Sequence, residues 1–595
     1  MTLVFDIESH SADERFTLHP DEFFRVGGLL VGDEYRVSTD VEQVRSAVAR
    51  APLSVGHNVF SFDLAALGVD TLALARDRRL LDTMVLDALT DPPDFNMKPE
   101  QAMKQKYKLD RACARHGIPG KQGDLAALAK RFKGSGHCPH DCGYGEIPTD
   151  DPDYRTYLEG DLRATDALLE RVTENGVSDY AWREMRVAAL GSVMSDTGWL
   201  LDRELLDVRV GEAADRRREL IDWLVSEHQI PTTLPNGKPA KAPQSTKAGK
   251  QAIVDAFASV GVSESELPHT EKGAVSLKGD LLAELADQFD EFPRVRELCD
   301  AVAALVGVRS VYDTAAKYLR PDGRVHPDVT FFQASGRSSI TKPGLTVFGK
   351  RGGRKVERDV FAASPGHVLL SADLSQVDAR AVAAHSGDPA YIALFEPGKD
   401  SHILTAYMVW GRDVVEASDE SRVYYRNKVK AITHGTTYGM GVPKLAASAG
   451  VPDSEAQRVV DTLREQFPGV ERWKMQVREQ AEAGEMLDNG FGRIMRPNPE
   501  RAWTQGPALM GQGTARDILM EGIAVRMPLD VQRMIRGIVH DEVVVECPAA
   551  DVEEVRQVVI DSMSFEWCPP WMSEPVQFVA DCSPAPGALR WSGCY

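Results

Sequence analysis

The apolar run Val368-Leu369-Leu370-Ser371-Ala372 stops on Asp373, and a polar segment, Leu374-Ser375-Gln376-Val377-Asp378-Ala379-Arg380, follows it. A run of this length and character predicts a buried strand. A buried strand that ends on a carboxylate holds that acid rigidly at a sheet edge. The placement suits Mg²⁺, which takes oxygen ligands in a near-fixed octahedron. The same acid could instead cap a following helix. Far downstream, Ile538-Val539-His540-Asp541-Glu542-Val543-Val544-Val545-Glu546 sets an acidic pair between two β-branched runs. That pattern predicts a hairpin with the acids in its turn. Acids on neighbouring strands can hold two metals about 3.5–4 Å apart, the geometry of in-line phosphoryl displacement.

At 595 residues the chain exceeds what one core supports, so about two to four domains are expected. No apolar stretch approaches the roughly 18 residues that span a bilayer. The N-terminal region carries Asp6 and lacks the basic-then-apolar pattern of a signal peptide. Eight mostly isolated cysteines fit a reducing compartment. A cytoplasmic protein without a membrane partner is therefore expected. The net charge of −20 argues against a uniformly basic nucleic-acid binder but allows a local basic groove. Arg337, Lys342, Lys350, Arg351, Arg354, Lys355 and Arg358 form one run against the single acid Glu357, and it leads into the Asp373 strand. A phosphate-tracking surface is the favoured reading of this run, with a solvated loop as the alternative.

Thr2 to Glu8 predicts a strand with Asp6 and Glu8 on one face, since side chains two apart align. Val55 to Asp63 predicts a strand and then a turn carrying another acid, and Leu80-Leu81-Asp82 a strand end. Tyr154 to Glu170 predicts a helix with Tyr157 and Asp161 on one face. Taken in order, Asp6-x-Glu8, Asn58-x-x-x-Phe62-Asp63 and Tyr157-x-x-x-Asp161 resemble the 3′–5′ exonucleases of the DnaQ-like, ribonuclease-H-fold group. The resemblance implies that Asp6, Glu8, Asp63 and Asp161 hold two metals and that Tyr157 orients the attacking water. Four crowded acids repel unless cations neutralise them, which agrees. His137, Cys138, His140 and Cys142 crowd one loop. Their spacing is tighter than paired Cys-x-x-Cys knuckles, so a surface loop with two free thiols is preferred to a zinc site.

Trp182 to Gln229 is helical in pattern, with alternating charge on its exposed face. Ile230 to Lys250, with Lys238, Lys241, Lys247 and Lys250, reads as a basic, mobile loop. Helical patterns resume at Lys250 to Val260 and from Leu277 to Leu319. Such a region could grip duplex backbone or serve as a spacer, and both readings stand.

Asp322-Gly323-Arg324 is a turn entering a strand, and Gln333 to Ser339 is a glycine turn carrying Arg337. After Asp400-Ser401-His402, the segment Tyr425 to Gly439 predicts a helix in which Arg426, Lys430, His434 and Tyr438 recur every fourth residue. One face thus carries two cations and then two flat rings. A triphosphate wants the cations and a base wants the rings, although a charged surface helix would also fit. With Gln512-Gly513-Thr514-Ala515 and His540-Asp541-Glu542, these stretches resemble, in order over residues 180 to 595, the family A DNA polymerases of the DNA polymerase I type. On this resemblance no 5′-nuclease domain is expected, and the compact exonuclease-plus-polymerase plan is similar to bacteriophage replicative polymerases.

The resemblance implies a multidomain α+β and α/β fold. A ribonuclease-H-like exonuclease domain would span about 1–175 and a right-hand polymerase domain about 176–595. The thumb would fall at about 180–325, the palm at about 326–400 and 500–595, and the fingers at about 401–499. The implied enzyme is a DNA-directed DNA polymerase with proofreading, using template-primer DNA and dNTPs, and acting as a monomer. No processivity factor is identifiable. Two Mg²⁺ ions per active site are implied, with Mn²⁺ a possible substitute, held in the polymerase site by Asp373, the Leu374 carbonyl and Asp541. Arg426, Lys430 and His402 would meet the phosphates, with Lys430 the proton donor to pyrophosphate. Gln376, Asp378, His434 and Tyr438 would complete the nucleotide site. Arg337, Gln512, His540 and Arg380 would contact DNA, and Glu542 would support the metal site.

Some positions depart from the family pattern. Leu374 replaces Tyr, Asp378 replaces Glu, and His434 replaces Phe or Tyr. Asn427 and Ala508 stand for Arg and Asn. The shorter Asp378 predicts weaker exclusion of ribonucleotides, and His434 leaves dideoxynucleotide tolerance open. Two other readings remain: a nuclease whose second half is a non-catalytic DNA clamp, and an RNA-making enzyme of the same fold.

Overall fold

The computed structural model describes residues 1–595 except 11–14, 17–19, 121–122, 136–142, 241, 270–273, 278–281, 283–284, 287–291, 308–310, 351 and 438. The candidate zinc ligands His137, Cys138, His140 and Cys142 lie outside the described residues. The chain forms two compact units, Met1–Leu200 with Arg320–Thr346 and Phe361–Tyr595, and Leu201–Leu319 with Val347–Val360.

The first unit begins with a mixed five-stranded sheet. Its strands are β1 (Thr2–Ser9), β2 (Phe24–Val31), β3 (Glu34–Ser38), β4 (Leu53–Gly56) and β5 (Leu80–Asp82), in the order β3-β2-β1-β4-β5. β1 pairs antiparallel with β2 and parallel with β4. The helix Pro152–Val172 packs across β1 and β2, buried through Leu158 and Leu162. The second sheet is antiparallel throughout, with Ile535–Val539, Glu542–Pro548, His367–Leu374 and Ala580–Ala588 side by side. The β-branched and aliphatic residues of these strands pack under the helix Val552–Met563. One continuous apolar core runs from Phe5 and Leu64 through Met185 and Leu190 to Leu370 and Val545. Met185 and Leu190 belong to the helix Asp179–Thr197, which therefore lies between the two sheets.

The stretch from Trp182 to Gln229, helical in pattern, is helical in the structure and is divided into two helices, Asp179–Thr197 and Arg203–His228. Gly198 takes φ 65°, a backbone state that glycine adopts without strain. Trp199 then turns inward against Phe361 and Trp591 and pairs with Val325, and its burial outweighs continued helix. The second unit packs the helices Arg203–His228, Lys247–Ser259 and Pro293–Gly307 around Leu224, Phe257, Leu298 and Val302.

A buried ionic cluster ties the helix Asp179–Thr197 to the helix Ala502–Met520. Arg516 binds Glu184 through both terminal nitrogens, Nη2 at 2.8 Å, and Arg493 Nη2 donates to the same carboxylate at 3.1 Å. Arg493 also pairs with Asp517, which accepts from Asn489 at 2.7 Å and from the Tyr180 hydroxyl at 3.0 Å. Burial alone would raise Glu184, but Arg516 and Arg493 outweigh it and hold its carboxyl below the usual range. Satisfied on every side, such a network is rigid; broken, it strands a buried charge. Replacing Glu184 by Ala leaves the two guanidiniums facing each other and is expected to destabilise the first unit by about 3–5 kcal/mol, measured by urea unfolding. An unfolding midpoint unchanged from wild type would show that the cluster contributes nothing.

Candidate active site

The strand His367–Leu374 is the centre of the site. Asp373, one residue from its end, lies directly opposite Glu542 on one side and Asp581 on the other. It does not cap the next helix, Val377–Ser386, whose cap is Gln376 in a left-handed conformation at φ 54°. The expected hairpin forms with a two-residue turn, His540-Asp541, and Glu542 begins the returning strand instead of sharing the turn. His540 holds φ 62°, unusual for a residue with a Cβ, as a first turn residue in a tight hairpin requires. The turn carries Asp541 back toward Asp373. The Asp541 carboxyl is pushed up by burial, then by the charges of Asp378 and Asp373, while Arg337 and His540 oppose the rise. Asp541, one residue before Glu542, thus lies at the same end of the sheet as Asp373, near enough for the two charges to interact. Glu542 is buried behind them and accepts from Ser371 Oγ at 2.9 Å and from the Tyr595 hydroxyl.

Beside the acids, Arg337 Nη2 pairs with Asp378 Oδ1 at 3.1 Å. Arg337, His540 and Asp541 line one small cavity, with Arg516 in its wall. Arg516 Nε also donates to the Gly336 carbonyl at 2.9 Å, so the buried cluster reaches the Arg337 turn directly. Gln512 is half-buried on the same helix as Arg516 and is not part of that cavity wall.

Gln376 is gripped through its side-chain carbonyl by Ser401 Oγ. Ser401 opens the helix Ser401–Trp410, whose cap Asp400 accepts the His402 and Ile403 amides at 3.0 and 3.1 Å. The other oxygen of Asp400 accepts from Arg426 Nε at 2.6 Å. Asp400 therefore joins the helix carrying His402 to the helix Asp419–Thr437 carrying Arg426 and Lys430. His402 is lowered to about 4, chiefly by burial, with Arg426 and Lys430 adding to the shift and Asp400 opposing it. Lys430 is exposed. His434 lies on this helix, and Tyr438 is outside the described residues.

Two expectations need correction. Arg380, read as a DNA contact, is 7% exposed and donates to the carbonyls of Ser375, Phe395 and Gln577. Its donors are spent on backbone, so it braces the turn after Asp373. The basic run from Arg337 to Arg358 is not one open phosphate track. Arg358 is 1% exposed and directed at the Phe348 carbonyl, Arg354 pairs with Glu357 at 3.0 Å, and Lys342 pairs with Asp328 at 3.0 Å.

A second group of acids sits on the first sheet. Asp63, buried at the start of the helix Asp63–Leu67, accepts the Ile7 amide from β1 at 3.2 Å. Burial raises it to about 7, and Asp82 adds to the rise. Asp82 is itself raised to about 6 by burial while accepting the Asn58, Met84 and Phe60 amides. Tyr157, on the helix Pro152–Val172, is raised well beyond the usual phenol range by burial, then by Glu8, Asp161 and Asp6. It therefore keeps its proton at any working pH and stands among the three acids. Among the described residues, no three His, Cys, Asp or Glu side chains close into a group that could hold a metal by themselves. Asp373, Asp541 and the Leu374 carbonyl nonetheless make an all-oxygen donor set, and the like-charge pressure on Asp541 is of the kind a divalent cation relieves.

Asp400, Ser401, Ser371 and Tyr595 were not singled out from the sequence as site residues. Asp400 could have been found as a helix cap ahead of His402, whereas the Tyr595 contact carries no sequence signal. Among the described residues no helix is long and apolar enough to cross a membrane.

Comparison with known proteins places this geometry. Residues 244–578 match the model of DNA polymerase family A. The chain is 27% identical over 446 residues to DNA polymerase I of Chloroflexus aurantiacus, covering 71% of this chain and 45% of that one. It is 31% identical over 323 residues to DNA polymerase I of Pseudomonas aeruginosa, covering 50% and 34%. The DNA polymerase of Mycobacterium phage D29 is 25% identical over 532 residues, covering 87% of this chain and 80% of that one. The chain thus spans under half the length of these bacterial relatives. The fold is similar, with TM-score 0.70 and 20% identity, to the POL domain of Pol1 from M. smegmatis in complex with DNA primer-template and dNTP, covering 96% of this chain and 93% of that one.

The lowered pKa of His402 gives a direct check. Free imidazole titrates at about 6.5. A His depressed in the folded state contributes stability that is full above that value and lost as pH falls toward the folded value of about 4. An NMR titration is expected to show the His402 ring neutral down to about pH 5. Protonation near the free-imidazole value would contradict the burial described.

Proposed function

The chain belongs to DNA polymerase family A, and from that premise we propose that it is a DNA-directed DNA polymerase. It extends a primer 3′-hydroxyl with deoxynucleoside triphosphates chosen by a template, and releases pyrophosphate. The observation that carries this reading is the strand register that sets Asp373 opposite Glu542, with Asp541 in the adjoining turn beside Arg337. Asp373, Asp541 and the Leu374 carbonyl would hold two Mg²⁺ ions, or Mn²⁺ in their place; bound there, they lower the pKa of the 3′-hydroxyl and offset charge on the leaving pyrophosphate. Everything else is supplied by side chains. Arg426 and Lys430 bind the triphosphate, with Asp400 aiming Arg426. Lys430, exposed and cationic, hands a proton to the departing pyrophosphate. His402 is neutral at pH 7 and offers a hydrogen bond to phosphate without added charge. Glu542 backs the acid pair from the buried side. Gln376 and Asp378 line the nucleotide site, and Tyr438 and His434 serve the base and sugar. Arg337, Gln512 and His540 follow the minor groove of the primer end.

The same chain trims primer 3′ ends, with Asp6, Glu8, Asp63 and Asp161 as the acids and Tyr157 directing the attacking water. The high pKa values of Asp63 and Tyr157 support this, because a protonated phenol can donate and a desolvated acid gains most from a cation. The similarity to the phage D29 polymerase over 80% of its length supports a role in copying a phage genome.

Paired variants test both activities. Asp541→Asn is expected to reduce primer extension by on the order of a thousandfold or more while leaving trimming intact. Asp63→Ala is expected to do the reverse. Full extension by Asp541→Asn would sink the assignment, and trimming without any extension by wild type would favour a nuclease with a DNA clamp. The sugar question has its own test. Asp378 is one methylene shorter than Glu and is held by Arg337. Asp378→Glu is therefore expected to raise discrimination against ribonucleotides about tenfold in single-nucleotide incorporation. Equal selectivity would remove the argument.

A further inference from the structure

We propose that Trp503 is a stacking platform for the first unpaired template base, an inference that rests on the polymerase reading above. Trp503 is 58% exposed, unusual for the largest apolar side chain, and sits in the first turn of the helix Ala502–Met520. It is held in place. The Arg478 guanidinium lies 3.8 Å from its ring centroid, and Arg478 Nε donates to the Trp503 carbonyl at 2.9 Å. Arg478 is itself only 8% exposed, so the ring rests on a fixed, buried cation and turns the rest of its surface to solvent. Met475, one turn before Arg478 on the same helix, is also exposed, and exposed Glu500 and Arg501 precede Trp503 in the chain.

The location supplies the ligand. Gly439 follows the helix that presents Arg426 and Lys430, and takes φ 70°. A methyl group there would stand 3.3 Å from both the Trp503 carbonyl oxygen and Thr504 Cα. The backbone of Trp503 therefore abuts the end of that helix away from its phosphate-binding cations, about 10 Å of helix rise beyond Lys430. In the polymerase reading that end receives the base of the incoming nucleotide. The next template base beyond the nascent pair is single-stranded and needs a flat partner. Stacking on an aromatic ring is tolerant of sequence because every base has a π face, and Arg501 is placed to meet the adjoining phosphate.

The test uses the full chain, a template-primer, a non-hydrolysable complementary nucleoside triphosphate, and 2-aminopurine at the template position just beyond the nascent pair. The same duplex with blunt ends serves as the reference. Wild type and Trp503→Phe are expected to quench the 2-aminopurine, whereas Trp503→Ala restores its emission. Trp503→Ala is also expected to bind the overhanging substrate about tenfold more weakly and the blunt duplex as wild type does. Equal emission and affinity in wild type and Trp503→Ala would overturn the proposal. So would an equal loss on both substrates, which would make the ring part of the scaffold. A wild-type chain that extends no primer would overturn the polymerase reading itself, a result distinct from wild-type extension with an indifferent Trp503→Ala.

Discussion

Two like charges are forced together by a sheet. The strand His367–Leu374 pairs with Glu542–Pro548 in a register that sets Asp373 against Glu542, and a two-residue turn returns Asp541 to the same end. Acids directly opposite on antiparallel strands repel. The repulsion is tolerated because Leu370, Ala372, Val543 and Val545 beneath them are fully buried, and slipping the register would turn those side chains to water. The sheet thus stores an unfavourable charge arrangement at one edge, and a bound cation would relieve it. Burial makes the tension larger by raising Asp541.

The rest of the first unit keeps that edge in order. Glu184, Arg493, Arg516 and Asp517 are buried together, and Arg516 extends from them to the Gly336 carbonyl beside Arg337. Arg337 in turn pairs with Asp378, which bears on Asp541. A chain of charged side chains, joined at one point through the Gly336 carbonyl, therefore runs from the helix between the two sheets to the acid pair. On the other side, Ser401 on Gln376 and Asp400 on Arg426 tie the triphosphate-binding cations to the segment that follows Asp373. Both connections use charge or short polar contacts, which tolerate little displacement.

Strand ends were the most legible part of the sequence. Asp6, Asp82, Asp373 and Asp541 each close or adjoin a β-branched or aliphatic run, and each lies at or within a few residues of a strand end in the structure. Helix spacing also served: Tyr157 and Asp161 share a helix, as do Arg426 and Lys430. What failed were inferences from composition. Arg380 looks like a surface cation in a polar segment, yet the carbonyls of nearby Ser375 and of the more distant Phe395 and Gln577 claim it. The run from Arg337 to Arg358 looks like a basic track, but Glu357 and Asp328 neutralise part of it and Arg358 is buried. Charge counted along a chain does not reveal which partners folding brings. The break at Gly198 has no strong local signal, because Trp199 fits a helical pattern as well as a core. Tyr595 on Glu542 is a tertiary contact between residues with no local signature.

The central claim is that Asp373 and Asp541 together form one cation site. Electron paramagnetic resonance of Mn²⁺, titrated into the wild-type chain and into Asp373→Asn and Asp541→Asn variants with a nucleoside triphosphate present, measures it directly. The account predicts tight Mn²⁺ binding in wild type and, in each single variant, the loss of the nucleotide-dependent part of the bound signal, with only the part due to Asp6, Glu8, Asp63 and Asp161 remaining. Full binding retained in either variant would show that the two carboxylates do not share a cation, and the site would have to be sought elsewhere.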